Sequence, residues 1–441
     1  MRKPNATDVL PWLLALTGFV FDMAAYYPGQ MSFDAAYIWW QVRGGESNDM
    51  HSPMLMHVWR VCDALLAGPG LIFILDLLLY WVGLVLIALG LRLRPLTTMA
   101  LMLLVGLAPI ALILRAHVWT DVAMLGALLV VTGALAFYLR TAQRGWLLLM
   151  LPIGFYALGL RHNALPALLP LVVLAVQRFL TQGSSSPTLL RVGAVSALIL
   201  ALLLGGVQAI NARVDRHVPL WPVVAEFDLG ALSIARNQVL LPSYSVGYGM
   251  DVSDLKQAFQ PWSVNALLTN TRHGIRQPSG PGWTESELAG LRRAWLAAVA
   301  AHPIDYLAHR LAVSAALFGT HRREWPSGLI FVDAEVVYRD NPPVGPNTSV
   351  LHRRLMETAE NLRDTPVLAA WPYLLIGLVA TPFAWRRRAQ PSASIALAIL
   401  ASAAMYALPL ILLAPSAELR YLLWPSVAAL ISVVLAFART R

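Results

Sequence analysis

The sequence predicts an all-α polytopic membrane protein of about ten transmembrane helices, and three observations carry that prediction. Of 441 residues, 58% are hydrophobic and only 13% are charged, about half the charged share of a soluble domain. Apolar runs of roughly 18 or more residues recur along the whole length, the mark of membrane-spanning helices. Lys and Arg crowd into alternate short connections, as the positive-inside rule requires of a multi-pass protein.

The elements follow in chain order. Arg2 and Lys3 precede an apolar core that contains Asp22 and lacks a small-residue cleavage site, so 9–27 reads as an uncleaved first span. A polar, aromatic-rich loop (28–68) follows and is expected to hold an interfacial helix. Further spans are expected at 69–91, 97–114, 120–139, 145–160, 164–177 and 192–210, and then at 366–385, 393–413 and 421–438. Between the two sets, 211–365 is broken by LPSYSVGYG, RQPSGPGW and NPPVGPN, which mark loops. Within it, 284–302 has helical spacing, with Thr284 as N-cap and Glu287 three residues on. Residues 303–319 carry His309 and Arg310 mid-segment and read as an amphipathic interfacial helix, because an eleventh crossing would break parity. QGSSSP (182–187) reads as a linker. The organisation is an N-terminal transmembrane module (1–210), an outer subdomain (211–365) and C-terminal transmembrane helices (366–441).

The charges set orientation. Arg2, Lys3, Arg92, Arg94, Arg140, Arg144, Arg178, Arg191, Arg386 to Arg388, Arg439 and Arg441 make thirteen basic residues in one set of connections, against the single acid Asp8. That set is expected to be cytoplasmic, with both termini inside. The net charge of +9 is thereby an orientation signal and not a nucleic-acid stripe. Cys62 is the sole cysteine, which excludes an internal disulfide.

The opposite side holds the chemistry: Asp34, Asp49, His51, Arg115, His117, Asp121, Arg161, His162, Arg310, Glu418, Arg420 and Tyr421. Asp22 and Asp76 lie within spans and are expected to be structural, paired with a bundle arginine or protonated. An arginine fork suits phosphate, and a carboxylate suits proton abstraction from a hydroxyl. Together they fit a lipid-phosphate donor and a hydroxylated acceptor at the membrane rim. Neither a P-loop nor a dinucleotide glycine pattern is present.

YYPGQMSFDAAYIWW after the first span, followed by NDMHSPMLMHVWR, resembles the first outer loop of the glycosyltransferase C-fold enzymes. These are polyprenyl-phosphate-sugar-dependent membrane glycosyltransferases, among them protein O-mannosyltransferases and lipid A aminoarabinose transferases. The resemblance implies Asp34 as general base and Asp121, in HVWTDV, as a second acid of the site. DMHSP is similar to the family's HPP element, with Ser52 in place of the first proline. LRHNALPALLPL and ELRYLLWP resemble further bacterial patterns that put an arginine at the outer ends of helices, which implies phosphate contacts for Arg161 and Arg420, with Tyr421 and Arg115 beside them. Asp49, His51, His162 and Trp39 are candidates for acceptor or sugar contact. Ala35, following Asp34, departs from the family's paired acids, so no metal or other cofactor is expected, and no large soluble C-terminal domain is expected after the bundle.

The resulting expectation is a bacterial inner-membrane enzyme. It moves a sugar with inversion from a polyprenyl phosphate to an envelope glycan, lipid or protein acceptor on the outer side, within a groove running from Asp34 to Asp121 and Arg420. A transporter or lipid flippase, which calls for midplane charges and internal repeats, and an O-antigen polymerase-like protein are the competing readings.

Overall fold

A helix that is apolar on every side belongs inside a bundle, and Thr120–Thr141 is such a helix. In the computed structural model it is buried from Asp121 to Tyr138 with the exception of Phe137 and forms the centre of the molecule. Residues 6–438 are described, apart from 183–186, 248, 271–273, 279, 281, 321–329, 332–334 and 346. Most of the expected linker, together with Arg2, Lys3, Arg439 and Arg441, lies outside the described residues.

Glycines fix the central contact. A methyl group at Gly83 of the helix Gly70–Gly90 would lie 2.5 Å from Leu129 Cβ, and one at Gly133 would strike Leu86 Cβ. Small residues on both helices let the backbones approach closely, which is how helices associate where water does not drive them together.

Among the described residues, seven helices are long and apolar enough to cross a bilayer: Asp8–Tyr26, Gly70–Gly90, Thr120–Thr141, Ala164–Thr181, Leu189–Asn211, Pro391–Leu413 and Leu419–Ala436. The other three expected spans are shorter or interrupted. Residues 97–114 divide into Pro95–Ala100, a π-helical turn Leu101–Val105 and, beyond Gly106, the helix Pro109–Leu114. Pro109 has no N–H to donate and starts a new helix. Gly145–Leu160 has 16 residues and Ala370–Arg386 has 17. Leu13, Leu16, Leu198, Leu202, Leu378 and Val379 are exposed on outward faces, as a lipid-facing surface demands. The described residues contain isolated β-bridges and no strand.

The two ends of the bundle differ. The basic end carries Arg92, Arg140, Arg144 and Arg386 to Arg388. There the helix Gly70–Gly90 closes with Arg92 N–H on Leu89 O (3.2 Å) and Leu93 N–H on Ala88 O (3.0 Å), and Arg92 sits at φ +49°. This is a left-handed position that normally holds glycine, and a side chain there costs about 1–2 kcal/mol.

The loop end carries 28–68 and 211–365, which interlock. Arg216 N–H reaches Ser47 O (3.1 Å), Val336 N–H reaches Met31 O (2.9 Å), and Asn341 Nδ2 reaches Ala36 O (2.7 Å). The Thr284/Glu287 capping box is present, and a second joins Asp251 and Asp254. The segment expected to lie as an amphipathic helix with His309 and Arg310 at the interface forms the helix Pro303–Phe318 with both side chains buried. Their partner is Asp228 of the helix Trp221–Arg236, which accepts from Arg310 (2.7 Å) and Trp295 (2.9 Å). Arg310 also donates to Ala414 O (2.9 Å). The charges are therefore matched inside the protein and do not reach for headgroups.

Candidate functional site

Asp34 is set by its neighbours in the chain. Ser32 caps the helix Phe33–Val42, accepting from Ala35 N–H (3.5 Å) and from Trp119 Nε1 (2.7 Å). Gln30 pairs with the second outer turn through its N–H on Ala116 O (2.8 Å) and its C=O on Val118 N–H (3.2 Å). These bonds carry the first turn of that helix toward the start of Thr120–Thr141, where Asp121 lies.

Arg420 joins the two. It follows the turn SAELR, which residues 262–264 hold from the outer segment: Ala417 N–H bonds Trp262 O (2.7 Å), Val264 N–H bonds Pro415 O (3.0 Å), and Ser263 meets Ser416 (2.9 Å). Arg420 Nη1 contacts Asp34 Oδ2 at 2.6 Å, its Nε donates to Glu418 Oε2 at 2.5 Å, and the same Nε is 4.0 Å from Asp121 Oδ2. Its guanidinium lies over the Trp119 ring at 4.8 Å. Arg161, where the helix Gly145–Leu160 ends, donates Nη2 to Asp121 Oδ2 and lies over the Tyr421 ring at 5.2 Å. Tyr421 Oη donates to Glu418 Oε1 (3.3 Å). His51 approaches the cluster beside the Tyr37 ring (5.3 Å), and its charge interacts with Asp34, Arg420 and Arg161.

Six residues expected at the site, Asp34, His51, Asp121, Arg161, Arg420 and Tyr421, thus gather at the loop end from five separate parts of the chain. They interlock instead of lining the expected open groove. Three polar atoms within the cluster are buried with no hydrogen-bond partner: Asp121 Oδ1, Arg161 Nε and His51 Nε2. Asp34 and Arg161 side chains keep 29% and 28% of their surface open, so the cluster reaches solvent on one side.

The electrostatics favour ionised acids. Burial works to raise the Asp34 carboxyl, but Arg420, His51 and Arg161 outweigh it and hold the group well below the usual carboxylate range. Burial drives His51 below its ordinary value. Asp34 opposes that shift, and Arg420 and Arg161 add to it. The imidazole is consequently neutral near pH 7.

Four expected residues lie elsewhere. Arg115 is fully buried in a two-bond pair with Asp22 (Nη2–Oδ1 and Nε–Oδ2, both 3.1 Å) beneath the Tyr80 ring (4.2 Å). Its guanidinium is turned to Asp22 and away from the rim cluster, where the expectation set it beside Arg161 and Arg420. Asp49 accepts from Val218 N–H (2.6 Å) and contacts His217 (2.9 Å), tying the first loop to the outer segment. Trp39 is buried and donates to Asp63 (2.9 Å), which joins two helices of the loop and leaves no open ring face for a sugar. His162 is exposed, on the turn after Arg161.

Sequence reasoning missed Trp119 as the floor under Arg420 and Tyr406, which interacts with Asp121 and Arg161. Trp119 had a signal, since it stands two residues before Asp121. Tyr406 had none beyond being a polar aromatic in an apolar run. Among the described residues no three His, Cys, Asp or Glu side chains gather into a set able to hold a metal ion. Comparison with protein-family models, curated proteins and solved structures finds no match to this chain.

Proposed function

We propose that this is a membrane-embedded glycosyltransferase that takes a sugar from a polyprenyl-phosphate donor at the loop end, on the extracytoplasmic side of a bacterial inner membrane, with ten crossings and both termini cytoplasmic. The observation that carries the reading is the convergence of Asp34, Asp121, Arg161 and Arg420 at the rim of an apolar bundle, with hydrogen-bonding atoms left over. The resemblance of the first loop to glycosyltransferase C-fold enzymes supports the same reaction.

The geometry suggests an order of events. With Arg420 bound to Asp34, the carboxylate is a weak base. A donor phosphate competes for the same guanidinium, because a fork binds phosphate as well as carboxylate. Its arrival at Arg420 and Arg161 frees Asp34 and removes the cation that holds its proton affinity down. Asp34 then accepts the acceptor's hydroxyl proton as that oxygen bonds the anomeric carbon and the bond to the phosphate oxygen breaks. Arg161 and Arg420, fixed on Tyr421 and Trp119, stabilise the charge that develops on the departing phosphate.

The test is sugar transfer from a labelled polyprenyl-phosphate donor by purified Asp34→Asn protein. A fall of about 10²–10⁴-fold is expected for loss of a general base. Unchanged transfer removes Asp34 from that role, and no transfer by the parent protein with any such donor removes the reading.

A further inference from the structure

The basic end of the bundle holds a second recess, of about 280 Å³, between the first helix, the end of Gly70–Gly90 and the end of Thr120–Thr141. Arg92 and Arg140 both line it, with Asp8 at its edge and Pro11, Leu89 and Phe137 as apolar wall. Three features of this recess call for an explanation.

Two guanidiniums from different helices face one space, and Arg92 lies close enough to Arg140 to act on its charge. Asp8 acts on the Arg140 charge from the edge of the recess. Arg140 spends Nη1 on Leu89 O (3.0 Å) and lays its guanidinium over Phe137 (4.8 Å), while its Nε is buried with no partner. Arg92 occupies the left-handed turn position at φ +49° where glycine is the unstrained choice. A strained residue held at one place is an indicator of function more than of stability, and here the strain points a cation at the recess.

We propose that this recess binds the phosphodiester headgroup of an anionic phospholipid from the adjoining leaflet. Two guanidiniums beside one recess favour an anionic ligand. The exposed Arg92 supplies donors, the Arg140 charge stands beside it, and Pro11, Leu89 and Phe137 receive the start of an acyl chain. Basic pockets between transmembrane helices at a membrane surface are a recurring form of lipid recognition. The site lies at the opposite end from the acid–arginine cluster and does not depend on what that cluster does.

The experiment is native mass spectrometry and thermal unfolding of detergent-purified protein with phosphatidylglycerol, phosphatidylcholine or inorganic phosphate added. The parent protein should retain phosphatidylglycerol over phosphatidylcholine by about tenfold, and its unfolding temperature should rise with phosphatidylglycerol alone. Arg92→Gly with Arg140→Gln should abolish that preference. The first change relaxes the turn, so a folded variant is expected, and an unshifted circular dichroism spectrum checks it. Equal retention of the two lipids by the parent, a preference that survives in the double variant, or equal protection by inorganic phosphate would each overturn the proposal.

Discussion

Acid–arginine groups occupy two regions of this molecule and are built differently. Inside the bundle, Asp22 takes two bonds from Arg115 and one from Trp81 (2.8 Å), and neither charged side chain has any exposed surface. Asp228 and Arg310 are as deeply enclosed within the loop-end subdomain, with 0% and 1% exposed, although there Asp228 Oδ2 takes both bonds and Oδ1 has no hydrogen-bond partner. At the rim, Asp34, Asp121, Glu418, Arg161 and Arg420 share an odd number of charges, leave donors and acceptors unmatched, and open to solvent through Asp34 and Arg161. A pair sealed from solvent, as Asp22 and Arg115 are, fastens helices together. A cluster that is open and unsaturated has room to exchange one of its partners for a ligand.

The largest expected effect would break the comparison from its interior side. Arg115→Met strands an unpaired carboxylate and should cost about 3–5 kcal/mol, seen as a sharp drop in unfolding temperature in detergent. Adding Asp22→Asn should restore most of that loss. An Arg115→Met protein as stable as its parent would end the distinction between the regions.

Next comes the rim. Asp34→Asn should lower transfer strongly while costing no more than about 1 kcal/mol of stability, since the pair is partly solvated. The pH dependence follows from the sign of the shift. A carboxyl held below its ordinary value contributes stability above the unfolded pKa and loses it as pH falls through the folded value. The variant should therefore show a flatter acid limb in unfolding temperature against pH.

Glu226 sharpens the comparison as a third case, an acid buried like the interior ones but, among the described residues, without a salt-bridged cation. Its carboxyl is buried, with the Arg276 backbone and the Ser245 side chain as its polar neighbours. Burial pushes the carboxyl up to about 9, against the pull of nearby Arg276 and Ser245. Here the sign reverses: the contribution is full below the ordinary carboxylate pKa and is lost as pH rises toward 9. Glu226→Gln should raise the unfolding temperature at pH 8 by a few degrees and change little at pH 5. The smallest effect is Arg92→Gly, which should stabilise by about 1 kcal/mol through relief of the left-handed turn, measured without added lipid.

Much of this was legible in the residues. Apolar runs marked the helices because a membrane span must satisfy its own backbone, and the Thr284/Glu287 spacing announced a capping box. The ends of those runs also placed Asp34, Asp121, Arg161 and Arg420 on one side, since a helix end is a local property. The break at Gly106–Pro109 was not read from 97–114, where apolar composition masked the proline. The burial of Arg310 was missed because its partner, Asp228, lies 82 residues away.

The sequence alone determined that the molecule is helical and apolar enough for several membrane spans, because hydrophobicity and helix length act locally. Only the tertiary structure decided which arginine meets which acid. Arg115 and Arg420 look alike in the chain, each at the edge of an apolar run. Packing sends the first inward to Asp22, 93 positions away, and the second to the rim beside Asp34. Coulomb attraction depends on distance in space, and only the packed helices fix that distance.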